Sequence, residues 1–383
     1  MNTLTVRRRP VAAALAVMLF AAACGGGSTT TPTPATSSAP STGASVAPPS
    51  IDDAKTIAEI LAAVAGMSAA DREAALLGKA ETEGNFVGYF ALQIESADAI
   101  SKGFIEAYPS LKEQHFALGG GDTLERILTE GGAGRHEWDV AIVNPEHMKP
   151  LREAKLITAY DGPVLDEIPE AYRDPNGEWV DLYVIQQGTV YNTTLVSDPP
   201  KTIQDLADPR FKGKFTLDTE DFEWGQMVLD SFDNGQAILD SIKANEPVMI
   251  RGGGEQRELT ASGEVMLATT VGDYLIYGQK LDGAPVDIQY LDVNVVKHGP
   301  MIISANAPHP AAAVLFMDWA LSVAGQQAMH DATRRTAVNP GIKDQYPDLA
   351  ALRGQAKTYS VDLNEFSENY EQIQKVWRDL FVE

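Results

Sequence analysis

The sequence predicts an α/β fold with two lobes, on three observations. Short apolar, strand-like runs alternate with helical patterns from residue 85 onward, which is typical of parallel βαβ units with right-handed crossovers. About 330 residues remain after an N-terminal export signal and linker, enough for two lobes of about 150 residues each. The extended run "DLYVIQQGTVYN", residues 181–192, connects the first set of alternating elements to a second one.

The N-terminus predicts export and a lipid anchor. Three arginines, residues 7–9, precede an apolar run, residues 11–23, that is too short to span a bilayer, which needs roughly 20 residues. The only cysteine, Cys24, follows at once. "LFAAAC" resembles a bacterial lipoprotein signal, which implies that residues 1–23 are removed and that Cys24 carries the lipid. The stretch 24–50 is rich in Ser, Thr, Pro and Gly, and we expect a disordered tether there.

The composition indicates an acidic, extracytoplasmic protein. The formal net charge is −23, and it becomes −26 once the three arginines of the signal are removed. This charge excludes a nucleic-acid binder and disfavours an anionic membrane surface, because both partners are themselves negative. A single cysteine cannot form a disulfide within the chain, so packed cores must stabilise it. We expect a monomer that is held at the cell membrane by the lipid on Cys24.

The first half of the chain predicts a helical segment followed by the first lobe. Residues 51–73 read as the helical segment, with a break near Gly66 and a capping-box start at Ser68. The first part of lobe 1 is expected over residues 74–187. Its predicted strands are "NFVGYFA", "KEQHFAL" and "WDVAIVN", with a helix after each of the first two.

The second half predicts another lobe and a return to the first. Lobe 2 is expected over residues 188–298, with the strands "KFTLDT", "PVMI" and "EVMLATTV" and the helices "EWGQMVLDSF" and "RGGGEQRELTAS". The run "VVKHGPMIISAN" then crosses back to lobe 1. Residues 299–383 are expected to complete lobe 1 with C-terminal helices, beginning with one long helix, "HPAAAVLFMDWALSVAGQQAMHDA".

The loops that follow the first three strands predict one side of a ligand site. In open parallel sheets, ligands lie beyond the carboxyl ends of the strands, where helices begin. The loops "FALQIES", "GGGDT" and "NPEH" occupy these positions and offer backbone N–H groups near helix N-termini. We therefore expect Leu92, Asp122 and Asn144 to contact a ligand. Alternatively, glycines 119–121 only make a tight turn.

Several ordered motifs carry a resemblance to a known family. They are "WDVAIVN", "IPEAYRDPNGEWVDLYV", "TIQDLADPRFKGKFTL", "ASGEVMLATTV" and "NAPHPAAAVLFMDWALSVAGQQ". Together they resemble the bacterial extracellular solute-binding proteins of ABC importers, in particular the ferric-ion, thiamine and 2-aminoethylphosphonate binding proteins, over roughly residues 74–383. The resemblance implies a type II periplasmic-binding-protein fold, in which two α/β lobes joined by two crossing strands close over a ligand.

The same resemblance bears on a metal site. Ferric-binding members use two adjacent tyrosines after the strand that here is "EVMLATTV", where this chain reads "VGDYLIY". Tyr274 matches the second tyrosine and Asp273 stands in place of the first, so both are candidate ligands of a ferric ion, since phenolate and carboxylate are hard oxygen donors. The family's histidine ligand would fall near Leu92 and Gln93, where there is none. Alternatively, Asp273 caps the following helix.

The first loop of lobe 2 is unusually acidic. Phosphate-binding relatives carry a Ser-Gly-Thr run there, whereas this chain has four carboxylates: Asp218, Glu220, Asp221 and Glu223. Four carboxylates would repel a phosphate. They either complement a helix N-terminus or form a site for a cation or a hydroxylated ligand.

Four further side chains complete the expected site. Trp224 is either a core residue or a stacking platform for a ligand. Arg251, before a run of three glycines, is placed to bind a ligand carboxylate. Gln187 and His298 lie on the two crossing segments and are expected at the hinge.

These observations predict a lipid-anchored binding protein that captures a small polar ligand, with a ferric-ion-like group favoured, and delivers it to an ABC permease and its ATPase. An organic cation, a polyol and a phosphonate are the alternative ligands, and no other cofactor is expected. The alternative function is a surface-anchored sensory or adhesive module with the same fold. We do not expect an enzyme, because the sequence contains no G-x-S-x-G, P-loop, HExxH or Cys/His cluster.

Overall fold

The computed structural model describes residues 50–382. The predicted signal, Cys24 and residues 24–49 of the tether lie outside the described residues. Within residues 50–382, no helix is long and apolar enough to cross a membrane.

The described chain begins with two helices that pack on the first lobe, and the first lobe follows. Ser68 caps the second helix, because its Oγ accepts a hydrogen bond from the Asp71 backbone N–H at 3.2 Å. In chain order the elements are α1 (Ile57–Ala63), α2 (Ala69–Glu83), β1 (Asn85–Phe90), α3 (Ile94–Ala107), β2 (Lys112–Ala117), α4 (Gly120–Gly132), β3 (Val140–Ile142), α5 (Met148–Glu153) and β4 (Ile157–Thr158). A 3-10 turn, Pro145–His147, connects β3 to α5.

The long strand β5 leads into the second lobe. The elements are β5 (Val180–Asn192), β6 (Phe215–Asp218), α6 (Phe222–Ser231), α7 (Gly235–Ala244), β7 (Val248–Ile250), α8 (Gly253–Ser262), β8 (Leu267–Gly272), α9 (Asp273–Leu281) and β9 (Val286–Gln289). The return strand and the C-terminal elements are β10 (Asn294–Ser304), α10 (Pro310–Leu321), α11 (Val323–Thr333), β11 (Thr336–Ala337), α12 (Pro347–Arg353), β12 (Thr358–Tyr359) and α13 (Leu363–Phe381).

The strand order is β2-β1-β3-β10-β5-β8-β6-β7. Strands β1, β2 and β3 pair in parallel, as do β6, β7 and β8, which confirms the βαβ units that the sequence predicts. The strands β5 and β10 run antiparallel at the centre, with Lys297 opposite Ile185 and His298 opposite Val184. Beyond this pairing, β5 continues into the second lobe, where Gln187 lies opposite Gly272 of β8. These two strands therefore connect the lobes.

The predicted long helix near residue 310 is two helices. Ser322 interrupts it in an extended conformation, with φ −65° and ψ 161°. Its Oγ accepts a hydrogen bond from the Gly325 backbone N–H at 3.2 Å, so it caps α11. The continuous apolar pattern conceals this break, because both helices bury a face against the same core.

The C-terminal residues pack differently from the expected partition, in which 299–383 complete lobe 1. Helices α10 and α11 do pack on the first-lobe core. However, Phe366 and Trp377 of α13 belong to the core of the second lobe. Trp377 is only 2% exposed and meets Trp224 edge to face at 6.0 Å. The burial of this indole places the C-terminal part of α13 against the second lobe, whereas Leu363 at the start of the helix belongs to a first-lobe core.

Candidate functional site

A cleft of about 820 Å³ lies between the lobes. The first lobe lines it with the start of α4 and with the β3–α5 connection, and the second lobe with the β6–α6 and β7–α8 connections. Strand β10 and the N-terminal half of α13 complete the wall. Four of the predicted site residues line this cleft: Asn144, Glu223, Arg251 and His298.

Four other predicted residues do not line the cleft. Leu92 packs at the edge of the first-lobe core, and Trp224 lies inside the second-lobe core, which favours the structural interpretation of this tryptophan. Asp122 lies on a separate depression of about 300 Å³ along α4. Gln187 is buried at the junction of the lobes, where its Nε2 donates to the Thr270 carbonyl at 2.8 Å.

The candidate metal ligand Asp273 is held by an arginine from α12. Its two oxygens accept hydrogen bonds from Arg353 Nε and Nη2, each at 2.7 Å, and Tyr290 donates to Oδ2 at 2.6 Å. Asp273 is fully buried. The sequence predicts a carboxylate that is available to a metal ion. In the structure both oxygens of this carboxylate are instead paired with the guanidinium of Arg353.

The second candidate ligand, Tyr274, is held by Arg335. Arg335 Nη2 donates to the Tyr274 hydroxyl at 3.0 Å and to Gln93 Oε1 at 2.8 Å, and Nη1 donates to Ser96 at 2.8 Å. The guanidinium also lies 4.8 Å from the centroid of the Tyr183 ring. Arg335 is 2% exposed. Through these hydrogen bonds it joins Gln93 and Ser96 of the first lobe to Tyr274 of α9 in the second lobe. The only signal for it in the sequence is a pair of arginines at the end of α11.

The floor of the cleft is a buried acidic cluster around one lysine. Lys297 Nζ lies 2.8 Å from Asp221 Oδ1 and 3.4 Å from Glu223 Oε2. Nearby, Asp218 Oδ2 accepts a hydrogen bond from the Gly252 backbone N–H at 2.9 Å. Sequence analysis missed Lys297, although a lysine within the apolar strand "NVVKHGPMIIS" was a usable signal. Helix capping alone does not account for these carboxylates, because Asp221 makes no side-chain cap for α6.

Burial shifts the acid–base properties of this cluster. Burial, reinforced by the charge of Asp221, raises the pKa of Asp218 to about 6. Burial also raises the pKa of Glu223. Burial opposes the charge of Lys297, but Asp221 and Glu223 outweigh it and raise the pKa of the ammonium. The ammonium of Lys297 therefore stays charged, and the carboxylates of Asp221 and Glu223 both pair with it.

At the hinge, His298 connects three elements. Its Nδ1 lies 2.5 Å from Asp181 Oδ2 of β5, and its Nε2 contacts the Ser360 hydroxyl in the connection to α13. Burial lowers the pKa of His298, but the adjacent Asp181 carboxylate outweighs this and raises it. The imidazole thus ties both crossing strands to the C-terminal segment.

Helix α13 crosses the mouth of the cleft and touches both lobes. The Ser367 hydroxyl accepts a hydrogen bond from the Lys149 backbone N–H at 2.8 Å, on the first lobe. Phe366 and Tyr370 line the cleft beside Phe222 of α6, and Tyr370 meets Phe222 edge to face at 5.5 Å. The cleft therefore combines aromatic rings with carboxylates. Exposed Arg251 pairs with Glu220 at 3.2 Å on its rim.

Among residues 50–382, no group of three or more His, Cys, Asp or Glu side chains is placed to hold a metal ion.

Comparison with known proteins identifies relatives of the whole two-lobed body. A family model described as bacterial extracellular solute-binding protein matches residues 114–354. An uncharacterised protein of Haemophilus influenzae is 26% identical over 272 residues, which cover 66% of this chain and 77% of that protein.

Two solved structures confirm the two-lobed type II fold. Iron-bound HitA from Pseudomonas aeruginosa superposes with a TM-score of 0.66 at 20% identity, over 78% of this chain and 99% of HitA. The periplasmic binding protein AfuA from Actinobacillus pleuropneumoniae, with fructose-6-phosphate bound, superposes with a TM-score of 0.68 at 21% identity, over 78% of this chain and 98% of AfuA. One fold thus accommodates a metal ion in one relative and a sugar phosphate in the other, so the ligand depends on the side chains of the cleft.

Proposed function

Because this chain belongs to the bacterial extracellular solute-binding protein family, whose model matches residues 114–354, we propose that it captures a small polar solute and delivers it to an ABC importer. The observation that carries this proposal is the cleft of about 820 Å³ between two lobes that β5 and β10 connect. A cleft at a lobe boundary, with a few convergent polar groups, is the usual place for a small-molecule site.

The anchor is part of the same proposal. A lipid on Cys24 and a tether of residues 24–50 would keep the protein beside a membrane permease. A flexible chain of this length has an average reach of about 30 Å. The tether would separate the two folded lobes, which follow it in the chain, from the lipid on Cys24.

Ferric ion is the second candidate ligand, and iron-bound HitA supports it by structural similarity. The candidate ligands Asp273 and Tyr274 pair with Arg353 and Arg335, so a ferric site at this position requires both pairs to separate. The open part of the cleft offers carboxylates and aromatic rings instead. A non-metal polar solute is therefore the form of the proposal that the geometry supports best.

Native mass spectrometry tests solute capture. The protein is purified without denaturation from the bacterium that produces it, and we expect one small-molecule mass per chain that is lost on unfolding. A chain that carries no added mass, and whose melting temperature no solute raises, would overturn the proposal.

Crosslinking in intact cells separates transport from sensing. Cys24 is the only cysteine, so a reactive cysteine can be introduced at Lys102 in the first lobe or at Lys212 in the second, both of which are exposed. We expect both positions to crosslink to a permease, because a permease that receives a solute from the cleft between the lobes would contact both of them. Crosslinks to a sensor kinase only would support the sensory alternative.

A further inference from the structure

The floor of the cleft contains a carboxylate oxygen that lacks a partner. Glu223 lines the cleft and is only 7% exposed. Its Oε2 lies 3.4 Å from Lys297 Nζ, whereas its Oε1 is buried and, among residues 50–382, has no hydrogen-bond partner. A buried carboxylate oxygen without a donor costs free energy, so this position favours a ligand that brings a donor.

The charges around Glu223 also favour a ligand that brings a hydrogen-bond donor. Asp221 is fully buried and its Oδ2 also has no hydrogen-bond partner among the described residues. Lys297 pairs with Asp221 and Glu223, while Asp218 in the same cluster accepts hydrogen bonds from the Gly252 backbone N–H at 2.9 Å and from Gln256 Nε2 at 3.3 Å. On the rim, the guanidinium of Arg251 is already paired with Glu220. The floor of the cleft therefore carries an excess of negative charge that a cation would neutralise.

Aromatic rings lie beside these carboxylates. Phe222 and Phe366 line the cleft, and each meets the Tyr370 ring edge to face, with centroids 5.5 Å and 5.9 Å apart. Aromatic faces attract organic cations and also bury an apolar body. A bare metal ion does not use such a wall, and among residues 50–382 no group of three or more His, Cys, Asp or Glu side chains is placed to hold one.

We propose that this cleft binds a small organic cation, in which an ammonium or guanidinium group contacts Glu223 and an apolar body packs against the rings of Phe222, Phe366 and Tyr370. This inference rests on the proposed function. It narrows the solute to one charge class and assigns Glu223 as the residue that determines specificity. An anionic ligand such as a sugar phosphate would instead face the carboxylates of Asp218, Glu220 and Glu223, which line the cleft.

Calorimetry with defined probes tests the charge class. The cationic probes are choline, spermidine and agmatine, and the comparison compounds are glucose 6-phosphate and ferric citrate. We expect at least one cation to bind and to raise the melting temperature by an amount that grows with the logarithm of its concentration over its dissociation constant, and the comparison compounds to bind more weakly. Binding of glucose 6-phosphate or ferric citrate without any cation would overturn the inference and leave solute capture intact. If no probe binds and the native protein carries no added mass, both proposals fail.

A matched pair of variants tests the residue. Glu223→Gln keeps the shape of the side chain, and we expect it to weaken binding of the cation by about 10- to 100-fold, since a charged hydrogen bond is lost. Glu255→Gln removes the same charge from an exposed position on α8 outside the cleft, and it should bind as wild type does. Equal affinities of the Glu223→Gln variant and wild type would contradict the inference. If Glu223→Gln does not fold, Tyr370→Leu serves instead, and unchanged affinity in that variant would contradict it.

Discussion

A substitution in the buried pair of Asp273 and Arg353 can distinguish a structural role of Asp273 from a metal-binding role. Both oxygens of Asp273 accept hydrogen bonds from Arg353 at 2.7 Å, and among residues 50–382 only the Tyr290 side chain supplies a further donor, at 2.6 Å. In Arg353→Met, a carboxylate that is fully buried loses its cation. Breaking a buried ion pair from one side costs about 3–5 kcal/mol, so we expect destabilisation of about 4 kcal/mol.

The partner variants isolate the interaction. In Asp273→Asn, the main remaining acceptor for the Arg353 guanidinium is the Arg334 carbonyl, at 3.0 Å. We therefore expect this variant to be destabilised as well. The double variant removes both charges, and we expect it to regain most of the loss, because replacing a whole buried pair is often nearly neutral. The coupling free energy of this cycle should exceed about 2 kcal/mol.

Equilibrium unfolding in guanidinium chloride, followed by tryptophan fluorescence and circular dichroism, provides the measurement. With a slope of about 4 kcal/mol per molar, a loss of about 4 kcal/mol lowers the midpoint by about 1 M. A change below about 1 kcal/mol in Arg353→Met would refute the structural role. If that variant also gained a phenolate-to-iron absorption band with ferric citrate, and the band disappeared in Arg353→Met/Asp273→Asn, Asp273 would instead be identified as an available metal ligand beside Tyr274.

Two further predictions concern stability. Trp377→Ala removes an indole that is 2% exposed and packed against Trp224, so we expect a loss of about 3–5 kcal/mol in the same unfolding assay, and a loss below about 1 kcal/mol would contradict the packing of α13. Burial lowers the pKa of His147 from 6.5 to about 4. Between these two pH values the unfolded chain binds a proton that the folded chain does not. The free energy of unfolding should therefore fall by up to about 3 kcal/mol as the pH decreases from 6.5 to 4. His147→Leu should lack this part of the pH dependence, and parallel stability curves for the two proteins would contradict it.

Much of the architecture is predictable because its signals are local. The parallel strands β1, β2 and β3 follow from apolar runs separated by helical patterns, and the start of α2 follows from the cap at Ser68. Where a boundary depends on one residue's conformation, the prediction was less accurate. Ser322, in an extended conformation, divides the predicted long helix into α10 and α11.

The candidate site was predictable only as far as the strand ends. The rule that ligands lie beyond the carboxyl ends of parallel strands selected Asn144, which lines the cleft. Glu223 and Arg251 also line it, but they were selected by the acidity of one loop and by the glycines that follow the arginine. The same rule also selected Leu92 and Asp122, which the structure places elsewhere, because a position in a loop does not determine the direction of its side chain.

The sequence by itself determined the α/β class, the order of the elements, the resemblance to a family of binding proteins and the acidity of the cleft, since each depends on residue types or on spacing along the chain. Only the tertiary structure decided which charges meet. Asp273 and Arg353 are separated by 80 residues, and Arg335 reaches Gln93 across 242 residues. No local pattern encodes such pairs, because a guanidinium can pair with any carboxylate that folding brings within reach. The position of α13 has the same origin. Its amphipathic pattern specifies that one face is buried, whereas tertiary packing places Leu363 at its start on the first lobe and Trp377 near its end on Trp224 of the second lobe.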